Sequence, residues 1–353
     1  MSKVLMKGNE AIAEAAIQAG CKYFFGYPIT PQNEIPAYMA KMLPKVGGCF
    51  IQAESEVSAI NMVYGAAGAG ARVMTSSSSP GISLKQEGIS YIVGAELPCV
   101  IVNIVRGGPG LGGIQPAQSD YFQTVKGGGH GDYKMLVFAP ASIQEMVDLV
   151  TSSFDLADKY RNPVMILGDG MLGQMMEPIE FKNKEVNLPE KPWATTGNKD
   201  GNRRNIINSL FIDAQDLENH VLKLFKKYEE IENNETRVEC NNCDDAEIII
   251  TAYGTTSRIA KNVIQMAAQE GIKVGLIRPI TLWPFPKETF RHWAEKDHVK
   301  AFLSVEMSMG QMVEDVKLSV DGVKPVHFYG RTGGMVPSPK DILEKIKNIR
   351  RGV

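Results

Sequence analysis

Glu56 has the setting most suggestive of chemistry. It follows the apolar run Cys49-Phe50-Ile51-Gln52, sits in Glu54-Ser55-Glu56, and leads a small-residue helical pattern through Gly65-Ala66-Ala67-Gly68-Ala69-Gly70. A carboxylate in a first helical turn is commonly just a surface group favoured by the helix dipole. Buried at a strand end at a subunit junction, the same group would have its pKa raised and could share a proton with a ring nitrogen. Two other groups occupy equivalent places. Tyr27-Pro28-Ile29-Thr30-Pro31 presents the Thr30 hydroxyl on a loop restrained by two prolines. Arg106, closing the apolar run 99–105, carries a guanidinium fork suited to a carboxylate. A rigid turn and an ordinary surface arginine are the plain readings of these two.

Other patterns are weaker. Gly108, Gly110 and Gly113 formally spell G-x-G-x-x-G after a strand, but Pro116 delays the helix that would aim amides at a pyrophosphate, so a ligand-facing loop is the better expectation. Gly168-Asp169-Gly170 with Asn198 downstream could offer oxygen ligands to a hard cation, or simply end a strand. Cys240-Asn-Asn-Cys243 supplies two ligands where zinc or an iron–sulfur cluster generally takes four. The histidines at 130, 220, 292, 298 and 327 show no ligand spacing.

The elements that must position these groups follow from hydrophobic patterning. Strands are expected at 23–25, 49–52, 73–75, 99–105, 135–138 and 164–167, separated by helices at 9–19, 56–69, 82–94 and 143–160. Continuous apolar strands alternating with helices predict an α/β fold with a doubly wound parallel sheet. A polar segment follows, containing the turn-rich 196–202 and a helix with Leu217, Val221, Leu224, Tyr228 and Ile231 on one face. A second α/β unit is expected beyond residue 246, with strands at 248–252, 274–277, 302–305 and 326–328. The expected division is therefore 1–180, a connecting arm 181–245 with a docking helix, and 246–353.

The chain has 353 residues with 38 basic and 40 acidic side chains, a net charge of −2, which provides no basic field for nucleic acid. No apolar run reaches the roughly 20 residues of a membrane span. Five cysteines in a chain this long fit a reducing compartment, so a cytoplasmic location is expected.

Taken together, Phe25-Gly26-Tyr27-Pro28-Ile29-Thr30-Pro31, Glu54-Ser55-Glu56, residues 75–81 (TSSSSPG), Val105-Arg106-Gly107-Gly108-Pro109 and residues 276–286 (LIRPITLWPFP) resemble the α subunit of 2-oxoacid:ferredoxin oxidoreductases, most of all the separate-subunit, branched-chain type acting on 2-oxoisovalerate. The resemblance covers nearly the whole chain. It implies a pyrimidine-binding thiamine diphosphate domain at 1–180 and a transketolase C-terminal-like domain from 246. By resemblance, Glu56 bonds the aminopyrimidine of thiamine diphosphate, Pro28, Ile29, Ser79 and Gly81 contact that cofactor, and Thr30 and Arg106 hold the substrate. No metal is expected on this chain. Mg²⁺, the pyrophosphate half-site and an iron–sulfur cluster are expected on a β subunit, with further clusters on γ and ferredoxin-like δ subunits, coenzyme A as co-substrate and ferredoxin as acceptor. The implied reaction is CoA-dependent oxidative decarboxylation. The same chemistry on 2-oxoglutarate, pyruvate or indolepyruvate, a self-sufficient thiamine enzyme using Gly168-Asp169-Gly170, and a non-catalytic scaffold are the alternatives. Residues 77–81 read Ser-Ser-Ser-Pro-Gly where many relatives have Thr-Ser-Gly-Pro-Gly, so Ser79 replaces a glycine.

Overall fold

The computed structural model describes residues 3–182, 186, 188–198, 201 and 204–352; Lys199, Asp200 and Asn202 of the turn-rich stretch lie outside the described residues. The first part of the chain forms β1 (Val4–Lys7), α1 (Gly8–Gln18), β2 (Tyr23–Gly26), α2 (Glu34–Met42), β3 (Cys49–Gln52), α3 (Glu56–Gly68), β4 (Val73–Ser77), α4 (Pro80–Gly94), β5 (Val100–Val105), β6 (Leu136–Phe138), α5 (Ile143–Tyr160), β7 (Val164–Asp169), α6 (Gly170–Gln174) and β8 (Met176–Ile179). The arm contributes α7 (Ala214–Glu235). Then come β9 (Val238–Asn241), β10 (Ile248–Thr251), α8 (Gly254–Gln269), β11 (Val274–Pro279), β12 (Thr281–Trp283), α9 (Lys287–Ala294), β13 (Ala301–Glu306), α10 (Met312–Val320), β14 (Val326–Gly330) and α11 (Pro339–Arg351).

The main sheet has seven strands in the order β12-β6-β7-β5-β4-β2-β3, parallel except for β12. Its central strand β5 is buried along all six residues, which is why it is apolar apart from Asn103. Strand β2 connects outward to β3, whereas its neighbour β4 connects the opposite way to β5. That reversal makes a crevice at the carboxyl ends of β2 and β4, the place where open α/β sheets take ligands.

The second sheet has five strands, β14-β13-β10-β11-β9. Two strands depart from the sequence expectation. β9 lies within the expected arm, yet pairs antiparallel with β11 in the second sheet. β12 lies within the expected second unit, yet pairs antiparallel with β6 on the edge of the first. Short strands of three and four residues owe their place to a tertiary partner, which local patterning does not reveal. The two units are thereby interlocked. Gln118 adds to this: its N–H reaches Met307 O at 2.8 Å, and its side-chain amide donates to Tyr253 O at 2.9 Å and accepts from Met307 N at 3.0 Å.

Helix α7 buries its apolar face mainly from Leu224 onward, and His220 before it bonds Gly94 O at 2.8 Å. Leu224, Tyr228 and Ile231 are buried, with the Tyr228 ring edge-on to Trp283 of β12, whereas Leu217 at the helix start is exposed. Among the described residues, no helix is long and apolar enough to cross a membrane.

Candidate active site

Ser55 starts α3 as its N-cap, the hydroxyl accepting from Ser58 N at 3.2 Å, and Glu56 is the first helical residue. Glu56 is only 6% exposed. Its carboxylate lies against α4 at Gly81, where an added Cβ would stand 2.6 Å from Glu56 Oε1 and 2.0 Å from Ser77 Oγ. Only glycine admits the carboxylate there. One turn along the same face is Lys85, fully buried, donating to Thr75 Oγ1 at 3.0 Å; Thr75 donates onward to Phe25 O at 2.6 Å. A further turn on is Gly88, whose Cβ would come within 2.5 Å of Ile60 of α3. The stripe Gly81, Lys85, Gly88 on α4 therefore meets Glu56 and Ile60 on α3, each set at helical spacing. Burial pushes the Lys85 ammonium down to about 8, and the Glu56 charge opposes that shift. Among the described residues, no hydrogen bond reaches the Glu56 carboxylate. Ser77 Oγ and Ser78 Oγ, at the end of β4, are also buried without partners.

Ser79 connects this pocket to Arg106. Its hydroxyl donates to Asp120 Oδ2 at 2.7 Å and accepts from Arg106 N at 3.1 Å, while its own N–H reaches Asn103 Oδ1 at 3.2 Å. Its φ is +26°, a backbone conformation that L residues rarely adopt and glycine takes freely. Burial raises the Asp120 carboxyl, with the bonds from Asn103 and Ser79 opposing.

Arg106 is 6% exposed. Its Nη1 donates to Thr30 O and its Nη2 to Leu111 O, both at 3.0 Å, while Nε is buried without a partner. The guanidinium thus fastens the proline loop after β2 to the glycine loop after β5. Arg106 meets the backbone of Thr30; the Thr30 side chain is exposed and its hydroxyl accepts from Asn33 Nδ2 at 3.3 Å. Pro28 is exposed and Ile29 half-buried on the same loop. A cavity of about 540 Å³ opens beside it, lined among others by Thr30, Asn33, Ile114, Met171 and, from the second unit, Gly334. Glu56, Gly81, Ser79, Arg106 and Thr30 form one continuous patch at the carboxyl edge of the main sheet.

Two other sequence signals resolve differently. The glycine loop folds back on itself, Gly113 N bonding Gly107 O at 2.9 Å and Gly107 N bonding Gln115 O at 3.0 Å, so it opens no helix toward a nucleotide. Asp169 Oδ1 caps α6, accepting from Met171 N at 2.9 Å and Leu172 N at 3.2 Å. Asn198 belongs to the segment anchored by Thr195 N on Gly68 O, at the far end of α3 and roughly 18 Å of helix from Glu56. The sheet separates it from Asp169, and the two do not form one cation site. Sequence reasoning missed Lys85, Asn103 and Asp120. The Gly81, Lys85, Gly88 spacing was the available signal for the first; Asn103 and Asp120 had none beyond position.

Residues 14–239 match the family model described as pyruvate flavodoxin/ferredoxin oxidoreductase, thiamine diphosphate-binding, and residues 246–342 match pyruvate:ferredoxin oxidoreductase core domain II. The chain is 52% identical over 350 residues to the ketoisovalerate oxidoreductase subunit VorB of Methanothermobacter thermautotrophicus, covering 99% of this chain and 98% of that relative. It is 36% identical to the 2-oxoglutarate synthase subunit KorA of Methanothermobacter marburgensis, covering 98% of each. Among solved structures, a 2-oxoglutarate:ferredoxin oxidoreductase from Magnetococcus marinus, with 2-oxoglutarate, coenzyme A and succinyl-CoA bound, superimposes with a TM-score of 0.88 at 27% identity over 98% of this chain and 65% of that one. A split-gene transketolase shares the fold with a TM-score of 0.61 at 14% identity.

Proposed function

The chain belongs to the 2-oxoacid:ferredoxin oxidoreductase family, and from that premise we propose that it supplies the proton-handling half of a thiamine diphosphate site in a multi-subunit enzyme. That enzyme oxidatively decarboxylates 2-oxoisovalerate, a branched-chain 2-oxoacid, to an acyl-CoA and CO₂ and passes the electrons to ferredoxin. The carrying observation is the Glu56 carboxylate, on a residue only 6% exposed and without a hydrogen bond among the described residues, meeting the buried and partnerless Ser77 hydroxyl at Gly81. Buried polar atoms without partners are costly, and a nitrogen-bearing ring set against Gly81 would satisfy them. These residues fit an aminopyrimidine.

When bound, the cofactor supplies a carbon nucleophile for the substrate ketone and an electron sink for the loss of CO₂. Glu56 holds and exchanges a proton at a ring nitrogen and forms no covalent bond. Pro28, Ile29, Ser79 and Gly81 shape the wall against the ring, Gly81 by allowing approach and Ser79 by keeping its tight turn. Arg106 has unused N–H groups on both Nη atoms and on Nε; with the Thr30 hydroxyl it holds the substrate carboxylate and carbonyl, each charge-assisted bond worth about 1.5 to 3 kcal/mol. Ile29, Leu111 and Ile114 provide the apolar side suited to a branched chain.

Tyr27, Leu111 and Ile114 on loops at this edge, with Val57 at the start of α3 and Met171 at the start of α6, are exposed apolar side chains, the composition of a surface that a second chain covers. A β subunit docked there contributes the pyrophosphate and Mg²⁺ half-site and an iron–sulfur cluster; γ and ferredoxin-like δ subunits complete a cytoplasmic complex using coenzyme A. Residues 1–180 serve as the pyrimidine-binding unit, 181–245 as the arm and 246–353 as the transketolase C-terminal-like unit, with β9 and β12 exchanged across those boundaries. The substrate is settled by comparing kcat/KM of the reconstituted complex for 2-oxoisovalerate, 2-oxoglutarate, pyruvate and indolepyruvate. Preference for 2-oxoisovalerate is expected, and a preference for any other acid refutes the assignment.

A further inference from the structure

Cys240 lies on β9, the edge strand of the second sheet, opposite Ile277, and it is exposed whereas Cys243 is buried. Between them Asn242 takes a left-handed φ of 55°, and the resulting bend turns the Cys243 thiol back against Asn241 O, the residue next to Cys240. The Cys243 thiol also lies 3.4 Å from Leu276 O and 3.5 Å from Asn241 O, and His298 Nε2 sits 3.1 Å from Cys243 O. The inner sulfur is thus fixed by its surroundings while the outer one faces solvent. A structural metal is a poor account of the pair, because no cluster of three or more His, Cys, Asp or Glu suited to a metal exists among the described residues.

We propose that Cys240 and Cys243 form a redox-active dithiol that closes to an intramolecular disulfide by exchange with an organic disulfide, Cys240 attacking and Cys243 resolving. Access and reactivity agree with this order. The Cys243 thiol beside it, aided by the Trp293 indole N–H, holds Cys240 down at about 7, while the bond to Cys240 and then burial push Cys243 up. By contrast, burial pushes the Cys21 and Cys99 thiols up to about 12, leaving them inert. In the first step the Cys240 thiolate attacks one sulfur of RS–SR, the S–S bond breaks and RS⁻ leaves. Cys243 then gives up its proton and attacks the Cys240 sulfur of the mixed disulfide, expelling the second RS⁻. Two electrons and two protons pass from the pair to the organic disulfide, which ends as two RSH. The pair adjoins Glu239, whose bond to Arg278 belongs to a cluster in which Arg278 also grips Glu145 of the first unit.

The test uses the purified complex, reduced and desalted without oxygen, then exposed to oxidised glutathione, alkylated and digested for mass mapping of the peptide holding both cysteines. In the wild type this peptide should become lighter by two hydrogens and escape alkylation, reversibly with dithiothreitol. Cys243→Ser should retain one glutathione on Cys240, and Cys240→Ser should react at least tenfold more slowly than either. Alkylation of both cysteines in the treated wild type overturns the proposal without reference to any variant. So does a Cys240→Ser protein that reacts at the wild-type rate.

Discussion

Lys85 and Glu56 face each other across the contact between α3 and α4, the lysine one turn beyond the glycine that admits the carboxylate. Burial lowers the Lys85 ammonium and the Glu56 charge opposes that shift.

Lys85→Met should lower kcat/KM of the assembled complex, because it removes the cation that faces Glu56. It should also change stability in a defined window. Lys85 is lowered from 10.5 to about 8 in the folded chain, so below pH 8 its burial as a cation costs stability, and the cost fades as pH rises toward 10.5. Denaturant titrations from pH 7 to 10.5 should show a rise in wild-type stability that the variant lacks.

Glu56→Gln preserves shape and should leave subunit assembly intact while removing most decarboxylation. Size-exclusion chromatography with a CO₂-release assay separates the two effects. Turnover near the wild-type level would remove Glu56 from its role.

Gly81→Ala places a methyl group on the Glu56 carboxylate and the Ser77 hydroxyl, the first held by helix α3 and the second by strand β4. The expected result is a loss of thiamine diphosphate affinity in the complex of at least tenfold, read by titrating cofactor into the depleted enzyme.

Ser79 trades backbone strain against three hydrogen bonds. Ser79→Gly and Ser79→Ala both lose the hydroxyl that bonds Asp120 and Arg106 N, but only glycine relieves the strain. The alanine variant should be the less stable of the two by about 1 kcal/mol or more, measured by chemical denaturation.

Arg106→Lys keeps the charge but cannot reach Thr30 O and Leu111 O together. The two loops should separate, raising KM for the 2-oxoacid far more than it changes cofactor affinity. Steady-state kinetics at saturating cofactor checks this.

The amino-acid sequence alone determined the parallel α/β architecture, because the largely apolar runs at β5, β6 and the start of β7 alternate with helical patterns. It also determined which loops carry Glu56, Thr30 and Arg106, since each sits where an apolar run ends. Only the tertiary structure decided that Arg106 spends its fork on two backbone carbonyls, that Asp169 caps a helix far from Asn198, and that Lys85 stands beside Glu56. It likewise decided that β12 joins the first sheet and β9 the second. The reason is range: a strand's burial or a helix's periodicity is written within a dozen neighbouring residues, whereas these pairings join segments far apart in the chain whose proximity depends on how whole elements pack.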